Sequence, residues 1–423
     1  MIKIYDTENI SVSEILKREQ TSTGVESIVA DVIANVRKNG DAALKEYTKK
    51  FDKADLSSLE VTQEEIDEAF AQVDDKFIEI IKKAKENIYN FHKHQVKNSF
   101  VISELDGVIL GQKVLPIEKV GVYVPGGTAP LPSTVLMTVV PAVIAGVSEI
   151  VMATPPNSEG KVNPAILATA KVAGVTRIFK VGGSQAIAAL AYGTKSVPKV
   201  DKIVGPGNAF VAEAKKQVFG VVDIDMIAGP SDICVVADGT NNPVVIAADM
   251  LSQAEHDKMA SAVLITESRE LAEAVSVQIE AQLKQLPREE IARTSVDNNG
   301  KIIIAESIEQ AVEIANAVAP EHLEICVDNP FDYLDKVKNA GSVFLGKNCP
   351  EPLGDYFAGP NHTLPTNGTS RFSSPLSVDD YVKKTQFTYY TRKALAKVSD
   401  DVAYFAEKEE LSAHAKSATV RFD

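Results

Sequence analysis

The chain has 423 residues, 45% of them hydrophobic and 24% charged, with a formal net charge of −14. That length exceeds one compact core and points to two or three domains. The acidic balance argues against a surface for nucleic acid or anionic lipid, and no apolar run approaches the roughly 18–20 residues of a membrane span.

Residues 1–105 read as a charged helical region, expected to pack on the second of two units described below. Glu26–Asn39, Thr62–Val73 and Lys76–Phe91 carry apolar residues at helical spacing. Gly40 is placed to end the first of these helices, and Thr62-Gln-Glu-Glu65 has the form of a capping box. His92 and His94, in Phe-His-Lys-His, read as solvated histidines of a charged helix. The start, Met-Ile-Lys-Ile-Tyr, has no signal-peptide pattern. Cys234, Cys326 and Cys349 are too widely spaced for a disulfide framework or a thiolate metal site, which suits a reducing cytoplasm.

From about residue 106 the pattern changes. Short β-branched runs (Val108–Leu110, Gly121–Val124, Glu149–Met152, Arg177–Val181, Lys202–Val204) alternate with helical segments, as in βαβ units with a mostly parallel sheet. The apolar stretch Val135–Val147 contains Pro141 and fits a buried helix. A second set follows: strands at Ile233–Ala237, Ala262–Thr266 and Lys301–Ile304, and helices at Pro243–His256 and Ser268–Gln285. Another helix opens at Ser307-Ile-Glu-Gln310. The fold class is therefore α/β, with two Rossmann-like parallel-sheet units, 106–229 and 230–381. The last residues, 382–423, form a helical arm with too little apolar surface for its own core, so it must pack on something, such as a partner subunit.

Three glycine-rich segments fall where strands end: Val124-Pro-Gly-Gly-Thr-Ala-Pro130, Val181-Gly-Gly-Ser-Gln185 and Val204-Gly-Pro-Gly-Asn208. Glycines there let the backbone approach a phosphate, and loops at the carboxyl ends of parallel strands line one crevice. Neither a G-x-G-x-x-G fingerprint nor a Walker motif occurs in them, so the incomplete nucleotide-fold signature leaves tight turns and a nucleotide site both open.

Of six histidines, four lie in chemically suggestive company. Gln253-Ala-Glu-His256 puts an amide oxygen and an imidazole three residues apart, on one helix face. Pro320-Glu-His-Leu-Glu324 sets Glu321 beside His322, two proton-transfer groups for near-neutral pH. Gly354-Asp-Tyr-Phe-Ala-Gly-Pro-Asn-His362 carries Asp355 and His362 in a long loop from Cys349 to about Ser374, and long loops are usually functional. His414 closes a polar helix after Glu409. Oxygen and nitrogen ligands without thiolates suit zinc, and also manganese or cobalt.

These segments, with Tyr123-Val-Pro-Gly-Gly-Thr-Ala-Pro-Leu-Pro-Ser133 and Ala228-Gly-Pro-Ser-Asp232, resemble histidinol dehydrogenase in content and order over nearly the whole chain. The resemblance implies oxidation of L-histidinol to L-histidine, the last steps of histidine biosynthesis, through a bound aldehyde with two NAD. It implies one zinc ion (Zn2+) per site, held by Gln253, His256, Asp355 and His414, with the substrate's imidazole and amine completing the sphere. His322 would be the general base and Glu321 the activator of water. Ser231, His362 and Glu409 match substrate contacts, alongside His322 and the four metal ligands; Glu410 is the neighbouring alternative to Glu409. Tyr123, Gln185 and Asn208 match positions near NAD, on a degenerate Rossmann-like unit. The resemblance implies a homodimer in which the arm reaches the neighbour's site, which would make Glu409 and His414 partner-supplied. A zinc hydrolase using Glu321 as base, and a non-catalytic binding module, are the competing classes.

Overall fold

The structure, a computed structural model, describes residues 1–16, 24–126, 130–227 and 229–423. Gly127, Thr128 and Ala129 of the first glycine loop, and Ala228, lie outside the described residues.

In chain order the strands are β1 (Lys3–Asp6), β2 (Phe100–Ile102), β3 (Val108–Pro116), β4 (Lys119–Tyr123), β5 (Glu149–Thr154), β6 (Arg177–Lys180), β7 (Lys202–Val204) and β8 (Asp223–Ile224). They continue with β9 (Asp232–Ala237), β10 (Ser261–Thr266), β11 (Lys301–Ile304), β12 (His322–Cys326), β13 (Ser342–Leu345) and β14 (Val382–Tyr390). One parallel sheet runs β6-β5-β4-β7-β8, and the other runs β1-β11-β10-β9-β12-β13. From β4 and from β9 the chain steps outward twice, then crosses back to the other side of its starting strand. Each sheet therefore reverses direction at one point, between β4 and β7 and between β9 and β12, as in doubly wound α/β folds. Helices cover both faces, so β9 (Asp-Ile-Cys-Val-Val-Ala) and β10 (Ser-Ala-Val-Leu-Ile-Thr) are buried along their whole length.

Several local signals act as read. Thr62 and Glu65 make the reciprocal capping box, and Gly40 ends the helix Glu26–Asn39 at φ 53°. Four expectations need correction. The N-terminal helices were expected against the second unit, but Glu26–Asn39, Gln63–Gln72 and Asp75–His92 bury their apolar stripes in the cores of the first sheet. Among the described residues, β1 joins the second sheet beside β11, and Ile10, Val12 and Ile15 pack on that sheet's core. The run at Val108–Leu110 belongs to no parallel sheet. It begins β3, the centre of a three-stranded antiparallel sheet ordered β14-β3-β2. The arm from Val382 is not helical throughout, because Val-Lys-Lys-Thr-Gln-Phe-Thr-Tyr-Tyr is rich in β-branched and aromatic residues and forms a nine-residue strand first. Helices Ser399–Lys408 and Ser412–Thr419 follow and pack on each other. Finally, His92 is fully buried, with Nδ1 2.7 Å from Gln95 Oε1. Among the described residues, no helix is long and apolar enough to cross a membrane.

The helix Pro132–Ala145 is buried from Thr134 to Ala142 and contains Pro141. Proline has no N–H, so the carbonyl four residues back, at Met137, loses its helical partner. Asn361 donates its side-chain N–H to that carbonyl at 2.7 Å. A break in one unit's helix thereby anchors the loop that carries His362.

Candidate active site

The acid–base residues gather at the amino edge of the second sheet, where β9 and β12 begin side by side. Asp232 N–H donates to Glu321 Oε2 at 3.0 Å, and Glu321 N–H donates to Asp232 Oδ1 at 2.7 Å. This reciprocal clasp fixes two neighbouring strand starts in register. His322 Nδ1 lies 3.1 Å from the Asp232 carbonyl, so the N–H of that nitrogen has its acceptor and Nε2 is turned the other way. Nε2 faces Glu351 Oε1 at 3.7 Å and Asp355 Oδ1 at 3.8 Å, and no hydrogen bond engages it.

Glu351 and Asp355 are one helical turn apart, in the short helix Glu351–Leu353 and the wider π turn Gly354–Ala358. A buried carboxylate of β12, Glu324, holds this segment by accepting the Glu351 N–H at 2.8 Å. Gly359, at φ +119°, lets the chain turn against the helix Asp75–His92, where a Cβ would lie 2.8 Å from the Asn87 carbonyl. His362 follows, its Nδ1 3.1 Å from the Asp355 carbonyl and its Nε2 3.4 Å from Thr134 Oγ1 of the first unit. A cavity of about 110 Å³ opens among His322, Phe344, Asp355 and His362.

Burial and charge pull these groups in opposite directions. Desolvation pushes Glu321 up to about 8, despite His322 beside it. Burial alone would lower His322, but the charges of Glu321, Asp355 and Glu351 outweigh it and push the imidazole up to about 10. Burial raises Glu351 to about 7, with the Asp355 charge adding to the effect. For Asp355 burial is overcome by the imidazoles of His322, 3.8 Å away, and His362, which hold it down to about 2. Desolvation lowers His362. Three carboxylates around one imidazole carry more negative charge than one imidazolium balances, which suits the cluster to a cation.

Gln253, at the end of the helix Pro243–Ala254, is fully buried, and neither atom of its amide has a hydrogen-bond partner. A buried amide left unpaired costs roughly 1–3 kcal/mol, and a metal ion would satisfy its oxygen. The residues present therefore fit a metal. One turn of chain further, His256 lies open to solvent at the rim. Protein packed around its imidazole desolvates it and lowers its pKa, and the Asp355 charge opposes that shift. Ser231 directly precedes Asp232 at the same edge. His414 and Glu409 are exposed on the terminal helix pair; within the single chain, no hydrogen bond or ion pair among the described residues joins their side chains to the cleft. His322, Glu351 and Asp355 offer ligand atoms within 4.8 Å of one another, a set in which Glu351 was not anticipated. Its signal was Glu351 four residues before Asp355, a spacing that places both on one face of a helical turn.

On the first sheet, Tyr123 ends β4 and its buried hydroxyl accepts the Gly183 N–H at 3.0 Å. Burial pushes that hydroxyl up to about 12. Gln185 is buried in the first turn of the helix Gly183–Tyr192. Asn208 is exposed, and its side-chain oxygen caps the helix Ala209–Val218 through the N–H groups of Phe210 and Val211. All three residues stand at the carboxyl edge of their sheet, around its reversal point.

The Asn361 anchor makes a specific forecast. Asn361→Ala leaves the Met137 carbonyl buried without a partner and is expected to cost about 1–3 kcal/mol. Denaturant unfolding of parent and variant measures this, and an unchanged midpoint would remove the anchor's significance.

The model of the family described as histidinol dehydrogenase matches residues 16–422. A histidinol dehydrogenase of Clostridium acetobutylicum is 58% identical over 409 residues, spanning 96% of this chain and 95% of that protein. One from Streptococcus mutans is 54% identical over 415 residues, spanning 98% and 97%. Among solved structures, the histidinol dehydrogenase of Elizabethkingia anophelis aligns with a TM-score of 0.94 at 42% identity, covering 99% of this chain and 98% of that one.

Proposed function

The chain belongs to the histidinol dehydrogenase family, a family of oxidoreductases, and from that premise we propose that it oxidises L-histidinol to L-histidine in two successive NAD-dependent hydride transfers. The observation that carries the metal-dependent reading is the fully buried amide of Gln253, which has no partner at hydrogen-bond distance and lies toward Glu351 of the His322, Glu351 and Asp355 cluster. Gln253, His256, Asp355 and the partner-supplied His414 would hold one zinc ion. That ion, when bound, anchors the substrate's imidazole and amine and so orients the carbinol carbon.

His322 is the group suited to take the hydroxyl proton as the carbinol hydrogen leaves as hydride to NAD, in the neutral form it would adopt once a cation held at Asp355 offset the carboxylate charge that otherwise keeps its imidazole protonated. Its Nδ1 is committed to the Asp232 carbonyl, which makes Nε2 the atom that faces substrate. Glu321 then takes a proton from the water that adds to the aldehyde, and the resulting hydrate gives up the second hydride. Ser231, His362 and Glu409 contact the substrate; Tyr123, Gln185 and Asn208 flank NAD on the 106–229 unit. The 382–423 arm, held to β3 of its own chain through β14, would reach the neighbouring copy's site with its terminal helices. Exposed Phe100, Val101, Phe387, Tyr389 and Tyr390 on the β14-β3-β2 sheet give a second copy an apolar surface to cover.

Steady NADH formation from histidinol and NAD by metal-replete protein tests the reading, and none would sink it. The compact trio His322, Glu351 and Asp355 supports a second ligand set. Metal content separates the two sets. The proposed ligands predict that His256→Asn loses zinc while His322→Asn keeps it and loses turnover; the compact trio predicts the reverse for zinc.

A further inference from the structure

We propose that the buried Lys215–Asp225 ion pair is a positioning device that fixes the Gly205–Asn208 loop and thereby sets affinity for NAD without touching it. The inference rests on the reading of the first sheet as the NAD side. β7 ends at Val204, the last residue in register with β4, so Gly205 is the first residue beyond the ladder. Gly205 is nonetheless buried, and its N–H and C=O both need partners. Asp225 Oδ2 accepts the Gly205 N–H at 2.7 Å, and Lys215 Nζ donates to the Gly205 carbonyl at 3.0 Å. Lys215 and Asp225 also pair with each other, with side chains 2% and 1% exposed, and Asp225 Oδ1 accepts the Met226 N–H at 2.7 Å.

A buried ion pair is weak evidence for stability, since apolar residues of similar volume often do as well. Here apolar residues could not replace it, because they would strand both polar groups of Gly205. One acceptor and one donor are required, on opposite sides of one residue. Lys215 comes from the helix Ala209–Val218 and Asp225 from the end of β8, so two elements grip the loop's first residue. Gly205 sits at φ +115°, and a Cβ there would run into the Tyr123 carbonyl, which locks the loop to the end of β4 as well. At the other end Asn208 caps the same helix that carries Lys215. The loop is thus held at both ends before any ligand arrives, at the reversal point between β4 and β7 where doubly wound sheets take their ligands. A loop ordered in advance spares binding the cost of ordering it.

The test uses the zinc-loaded dimer and the double variant K215M/D225L, which avoids a lone buried charge. The KM for NAD is expected to rise at least about tenfold while the KM for histidinol and the zinc content stay within about twofold. A folded double variant with the parental KM for NAD would overturn the proposal, because a merely structural pair would not single out NAD. If the variant does not fold, amide exchange of parent enzyme without NAD decides. The Gly205 N–H should be as protected as those of β7; rapid exchange that slows only on adding NAD would show that no clamp exists beforehand. If parent enzyme forms no NADH from histidinol, the functional reading fails, and the exchange measurement still judges the clamp.

Discussion

Glu321→Gln is expected to slow oxidation of the aldehyde by about 10²–10⁴-fold while keeping much of the first hydride transfer. The variant is expected to fold. The bond from the residue-321 N–H to Asp232 Oδ1 involves only the backbone of residue 321, and a glutamine oxygen can still accept the Asp232 N–H. What is lost is the capacity to take a proton from water, which the second step needs and the first does not. Single-turnover measurements starting from histidinol and from histidinal separate the two steps. Near-parental oxidation of histidinal by the variant would remove Glu321 from its role.

His256→Asn and His414→Asn proteins are each expected to be nearly inactive and poor in zinc, yet to recover roughly a quarter of parental activity when mixed and allowed to exchange subunits. Random exchange makes half of the dimers mixed. In each of those, the arm with intact His414 reaches the core with intact His256 once, and the other site carries both changes. Within one chain His414 is exposed on the terminal helix pair, and its side chain makes no hydrogen bond or ion pair with cleft residues among those described. No recovery after confirmed exchange would mean that His414 acts within its own subunit or not at all.

Much of the framework was legible in the sequence. Runs such as Ile233–Ala237 and Ala262–Ile265 are apolar throughout because both faces of a parallel strand are covered, and that local signal needs no knowledge of neighbours. The arm was harder to read. Its opening residues favour a strand, but a strand requires a partner, and β3 lies more than 260 residues earlier, with Val382 opposite Pro116. His92 reads as solvated because the helix it ends is rich in charge. Its burial comes from packing that adjacent residues do not report.

The residues able to do chemistry, and their order along the chain, were determined by the sequence alone: His256, Glu321, His322, Asp355, His362 and His414 stand in motifs whose residue types limit what each can do. Only the tertiary structure decided how those within one chain meet. It put Asp232 and Glu321, 89 positions apart, into a reciprocal clasp. It placed the acid–base cluster at the amino edge of its sheet rather than at the carboxyl-edge crevice, and it added Glu351 to the cluster. It also joined Asn361 to a carbonyl 224 positions away, freed by a proline. Local periodicity reports which face of an element is buried. Which elements lie side by side depends on the crossover connections, and a few unpaired polar groups at the strand ends then select their partners.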